Sequence, residues 1–122
     1  MQRVFLALVF SVLALAPAAT AVHAEEFFVA PGSGRATDVF TFVGRGFQPG
    51  AELAETYTGP GGVRYSYFFG SQPAVVVVGP DGAFEVSLVP ARDFEGASTG
   101  RWTAELCYDD GNCWLVDFDV SL

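Results

Sequence analysis

The chain has 122 residues, with fourteen Asp and Glu against six cations and a formal net charge of −8. All six cations are Arg, there is no Lys, and the single histidine is His23. So acidic a chain lacks the cationic face that nucleic acids and anionic membrane surfaces require.

Residues 1–24 have the layout of a secretory signal peptide. Arg3 supplies the positive start, Val4 to Leu15 is a short apolar run, and Val22-His23-Ala24 places small residues at −3 and −1 of a cut before Glu25. The apolar run is short for a membrane span and is followed by Pro17. The expected organisation is a signal peptide over 1–24 and one domain over 25–122, with no membrane span in the mature chain. The expected location is secreted or otherwise extracytoplasmic. Cleavage removes Arg3, leaving five Arg against fourteen acids, or −9.

It also removes His23 and Met1, so the mature segment holds no His, Lys or Met. No Ser-His or Cys-His pair, imidazole base, His-based zinc site or Lys Schiff base is then available. Acid–base chemistry falls to carboxylates alone, as in glycosidases. The inventory implies a protein that is not an enzyme, with no cofactor and no metal; a carboxylate-based hydrolase is the remoter alternative.

The remainder reads as short segments rich in Val, Phe, Tyr and Thr between Gly and Pro turns, the pattern of an all-β sandwich or barrel. Strands are expected at 26–30, 37–43, 51–57, 63–69, 73–78, 83–89, 101–108 and 113–121. The turns between them include Gln48-Pro49-Gly50, Gly59-Pro60-Gly61-Gly62, Pro80-Asp81-Gly82 and Asp109-Asp110-Gly111-Asn112. Pro49-Gly50 suits a type II turn. The apolar run Pro73 to Val78 reads as a buried strand; exposed, it would be an aggregation hazard.

Cys107 and Cys113 are the only cysteines. An exported chain with two cysteines and no other soft ligand is expected to form a disulfide. If the two face each other, paired residue numbers in the last hairpin sum to 220. Leu106 then opposes Trp114, Ala104 opposes Val116 and Trp102 opposes Phe118 on one apolar face. The other face pairs Glu105 with Leu115, Thr103 with Asp117 and Arg101 with Asp119.

Candidate contact residues lie on the aromatic strand 63–69. Val63, Tyr65, Tyr67 and Phe69 share one face, with Tyr57 on the preceding strand; tyrosines with an apolar body and polar tip suit a ligand or partner, and equally a sandwich core. Asp109, Asp110 and Asn112 do not match the spacing of a calcium loop and read as a hairpin turn.

Three motifs carry a resemblance. Gly44-Arg45-Gly46-Phe47-Gln48-Pro49-Gly50 with Ala51-Glu52-Leu53, Asp81-Gly82-Ala83-Phe84 with Val86-Ser87-Leu88, and Gly100-Arg101-Trp102-Thr103 through Asp117-Phe118-Asp119-Val120 resemble the turns and closing hairpin of secreted bacterial immunoglobulin-like modules. Within that group the chain is most similar to the neocarzinostatin-type apoproteins, exported carriers of enediyne chromophores. The stretch from Gly79 to Gly96 follows their order, and Cys107 with Cys113 is similar to their hairpin disulfide. Their other disulfide has no counterpart, because no cysteine lies between Tyr57 and Gly70. The loop after Phe94-Glu95-Gly96 is short and lacks the aromatics that help line the family's cleft. The resemblance implies a seven- to eight-stranded antiparallel immunoglobulin-like sandwich. The expected function is a binding or structural surface module, or else a small-molecule carrier, its partner a protein, a glycan or a small apolar ligand.

Overall fold

The structure, a computed structural model, describes residues 24–68 and 72–122; the expected signal segment falls almost wholly outside them. Two sheets, antiparallel except where residues 33–35 join residues 119–121, pack face to face. The smaller has three strands in the order β1 (Glu26–Ala30), β3 (Phe40–Arg45), β9 (Phe84–Leu88). The larger has the order β2 (Ser33–Arg35), β11 (Cys113–Ser121), β10 (Gly100–Cys107), β4 (Glu52–Thr58), β5 (Arg64–Tyr65), and β8 (Val75–Val77) pairs with the other end of β4. A two-stranded ribbon, β6 (Tyr67–Phe68) with β7 (Gln72–Pro73), branches off between β5 and β8. The architecture is the expected all-β sandwich.

Period-2 alternation decides what enters the core. Phe40 and Phe42 on β3, Leu53 and Tyr57 on β4, and Trp102, Ala104 and Leu106 on β10 all turn inward and are buried. One cluster gathers Phe40, Phe42, Tyr57, Leu88, Phe94, Trp102 and Phe118. A second gathers Phe47, Leu53, Val76, Val78, Phe84 and Leu106. The aromatic pairs adopt offset or edge contacts, such as Phe42 on Phe118 at 5.2 Å and 77°. Gly44, opposite Phe84, has no side chain because a Cβ there would sit 2.0 Å from the Phe84 ring.

The closing hairpin has the register derived from the sequence. Cys107 opposes Cys113 and is bonded to it, and every pair down to Arg101 with Asp119 sums to 220. On the outer face Thr103 Oγ1 donates to Asp117 Oδ1 at 2.7 Å, and Arg101 Nε donates to Asp119 Oδ1 at 2.9 Å.

Elsewhere the structure corrects the expected elements. The strand expected at 37–43 begins and ends three and two residues later, at 40 and 45. Ser33–Arg35, which carries no strand signal, pairs in parallel with β11, where Asp119 N–H donates to the Gly32 carbonyl and Ala36 N–H to that of Ser121. The expected strand 63–69 breaks at Ser66, whose carbonyl accepts the Ala74 N–H as the chain leaves β4 for the ribbon. One helical turn, Pro90–Asp93, follows β9; its Asp93 carboxylate accepts the Val89 N–H at 2.8 Å. The run at 73–78 is not buried throughout. Val76 and Val78 point inward, while Val75 and Val77 are 48% and 60% exposed on an edge strand.

Candidate binding surface

The expected contact residues separate into different environments. Tyr57 and Tyr65 are cross-strand partners on β4 and β5. Tyr57 is a core residue at 2% exposure, its ring 5.7 Å from Phe42 and 5.2 Å from Phe94, and it offers no outer surface to a ligand. Tyr65 is half-buried, lies 4.7 Å from Phe94 and stacks on Trp102 at 5.6 Å and 21°. Its hydroxyl donates to the Glu95 carbonyl at 3.2 Å. Tyr67 enters the ribbon, its backbone opposite Pro73, and Phe69 lies outside the described residues.

Beneath these rings sits a group the sequence reading passed over. Glu55 shares the inward face of β4 with Leu53 and Tyr57, between the two apolar clusters, and is 5% exposed. Its Oε1 accepts the Tyr57 hydroxyl at 2.6 Å. Burial raises its pKa above the ordinary glutamate value, an effect the Tyr57 hydrogen bond partly offsets. Burial also pushes the Tyr57 phenol well above its usual range, reinforced by the neighbouring Glu55. The signal was in the sequence: an acid in phase with Leu53 and Tyr57.

At one end of the sandwich, the turn 46–51 and the hairpin tip 108–112 enclose an open groove of about 1030 Å³. The turn is built by Pro49 and by Gly50 at φ +79°, with Ala51 N–H donating to the Gln48 carbonyl at 3.1 Å, the type II arrangement expected. The tip is closed by Asp110, whose carboxylate accepts the Asn112 backbone N–H at 2.9 Å and its side-chain amide at 3.1 Å. Those two bonds are turn chemistry. The Gln48 backbone N–H donates to the Tyr108 hydroxyl oxygen at 2.8 Å and ties one wall to the other.

Phe47 and Trp114 form the aromatic base of the groove, their centroids 5.1 Å apart at 70°, with Tyr108 edge-on to Trp114 at 5.4 Å and 81°. The two tryptophans differ in their polar atom. Trp102 Nε1 donates to the Ser98 carbonyl at 2.8 Å, whereas Trp114 is half-buried and its indole N–H meets no acceptor among the described residues. No buried side-chain polar atom among those residues lacks a partner, so the Trp114 N–H is open to solvent. Glu52 and Asp109 add exposed carboxylates to the rim. The groove thus offers an aromatic base and acceptors on its rim, and its sign disfavours anions.

Glu105, Cys107 and Cys113 bring potential metal-ligating atoms within 4.8 Å, but both sulfurs are consumed in the disulfide. No helix among the described residues is long and apolar enough to cross a membrane.

No protein-family model and no curated protein sequence matches the chain. The solved structure of macromomycin does, with a TM-score of 0.52 at 13% identity, over 80% of this chain and all of that one. The two share a fold. Macromomycin has the neocarzinostatin-type apoprotein fold, and the likeness supports a related β-sandwich fold for this chain. At that identity the likeness to macromomycin concerns architecture alone.

Proposed function

We propose that the chain is an exported, non-enzymatic binding module whose contact surface is the groove between the 46–51 turn and the 108–112 hairpin tip. The observation that carries this reading is the pairing of an aromatic base, Phe47 and Trp114, with a rim of hydrogen-bonding groups. A neutral, hydroxyl-rich ligand such as a glycan, or a polar loop of a partner protein, matches those groups. The non-enzymatic part is supported by the absence of His and Lys from residues 25–122. Export is supported by the pattern of residues 1–24 and by the disulfide. Intact mass of the protein from culture medium should begin at Glu25; retention of Met1 would sink that part.

The groove is tested with a neutral glycan array followed by titration of any hit against Trp114→Ala. The expected loss is about 1–3 kcal/mol of affinity with the melting temperature nearly unchanged, as for an aromatic anchor. Equal binding by the variant would move the contact elsewhere.

A second reading, carriage of a small apolar molecule, is favoured by one observation: Tyr65 lies half-buried over Phe94 and Trp102 at the root of the β6–β7 ribbon. The shared fold is compatible with it. In that case a polycyclic aromatic probe should quench Trp102 fluorescence, and Tyr65→Ala should abolish the quenching while Trp114→Ala leaves it intact.

A further inference from the structure

A different surface, the free edge of β8, has a hydrogen-bonding pattern of its own. β8 pairs with β4 so that Val76 opposes Leu53, flanked by bonds from Glu55 N–H to the Ala74 carbonyl and from Val78 N–H to the Ala51 carbonyl, both 2.9 Å. In an antiparallel ladder backbone groups alternate between the two sides of a strand. Val76, Val78 and the Ala74 carbonyl therefore turn towards β4, the Ala74 N–H going to Ser66, and Val75 and Val77 direct their N–H and C=O groups away from it. Among the described residues no other strand pairs with β8.

Exposed edges usually carry charges, prolines or bulges that block pairing. The other edge strands conform: Glu26 lies on β1, Arg35 on β2, Arg64 on β5 and Glu85 on β9. β8 consists of valine alone; of its two outward side chains, Val75 continues an apolar row across the sheet through Ala54 to Cys107 and Cys113, while Val77 stands opposite Glu52. The half-buried Val86 lies on β9 across the seam between the sheets.

Along the chain at this edge the charge has one sign, and Arg64 of the neighbouring β5 is paired with Glu105 at 3.5 Å. Between Tyr65 and Ala91 the chain has no cation; Asp81 and Glu85 follow in the next turn and strand, and Glu52 stands opposite Val77. We propose that the open edge of β8 is a strand-addition site for an extended, positively charged segment of a partner protein, held by main-chain bonds to Val75 and Val77. Apolar side chains at alternate positions of that segment would extend the valine row on one face and cover Val86 on the other, and its cations would meet the three carboxylates. A second copy of this chain fits the edge in hydrogen bonding but brings the same carboxylates together.

The test uses the purified full-length chain and three end-capped pentapeptides: RVTVR, EVTVE, and RVTVR N-methylated at every residue. Amide exchange is read by NMR at Val75, Val76 and Val77. RVTVR at millimolar concentration should slow exchange at Val75 and Val77 by about tenfold or more and leave the already paired Val76 unchanged. EVTVE should bind about tenfold more weakly at low ionic strength, the gap closing as salt is added. The methylated peptide should do nothing. No protection with RVTVR, equal protection by the methylated peptide, or protection that grows with protein concentration in the absence of peptide would each overturn the proposal, the last by showing that a second copy holds the edge.

Discussion

The two neighbours of β10 differ in how they are built. On one side β11 runs beside it without interruption for eight residue pairs, sealed at its tip by a disulfide. On the other, β4 is itself flanked by two short partners, β8 against residues 52–54 and β5 against 57–58, and between them the chain departs into the ribbon. The continuous side carries core and charge on opposite faces in strict alternation. The interrupted side leaves an open edge, a half-buried Tyr65 and, in between, a buried acid. Regular pairing holds the sandwich, and the breaks in pairing create surfaces to which something else can attach.

The largest effect should come from the continuous side. Trp102 is fully buried, stacks on Tyr65 and Phe94, and spends its N–H on Ser98, so Trp102→Ala should cost about 3–5 kcal/mol in denaturant unfolding. Opening the disulfide with Cys107→Ser and Cys113→Ser together releases a loop with a sequence separation of 6. The chain-entropy argument for so short a loop gives about 2 kcal/mol, with the hairpin register retained in the folded variant. A register lost along with the bridge would mean that side-chain alternation alone does not define it.

The buried acid sharpens the comparison through pH. Because burial raises the Glu55 pKa above the ordinary 4.5, the folded state holds that proton more tightly than the unfolded state does. Its contribution is therefore fully present below that ordinary value and is lost as pH rises through the folded value. Relative to Glu55→Gln, the native chain should lose stability from mildly acidic to neutral pH; parallel curves for the two would contradict this. Tyr57→Phe removes the donor to Glu55 and should cost about 1–2 kcal/mol. The smallest effect belongs to the open edge. Val77→Thr changes an exposed side chain on β8 and should shift stability by less than about 0.5 kcal/mol, whereas Val76→Ala, one residue away and buried, should cost several times more.

The same contrast explains how far the sequence could be read. The β10–β11 register was legible because two constraints coincide there: a pair of cysteines and a period-2 pattern that puts Trp102 and Phe118 together and Arg101 beside Asp119. The turns at Pro49-Gly50 and Asp110-Gly111-Asn112 were legible because their residues meet local backbone demands. Pairings made by distant backbone were not. Ser33-Gly34-Arg35 becomes a strand only because β11 presents its edge, and Ser66 breaks a strand because Ala74 lies in reach of its carbonyl. The groove has the same origin: Gln48 and Tyr108 are 60 residues apart, and neither one signals the other. Val75 and Val77 carry the same apolar letter as Val76 and Val78, and only the position of β8 at the sheet's edge separates them.

The parallel pair between β2 and β11 sets the timing of assembly. Residues 33–35 lie beside residues 119–121, and β11 in turn is the strand on which β10 closes. The larger sheet cannot be completed while residues 113–121 are still absent, however early β1 and β3 have met. Contacts so far apart in sequence place folding on the millisecond-to-second scale of all-β domains rather than the microseconds of helical bundles. Through that interval the acidic charge of each chain keeps it apart from its neighbours.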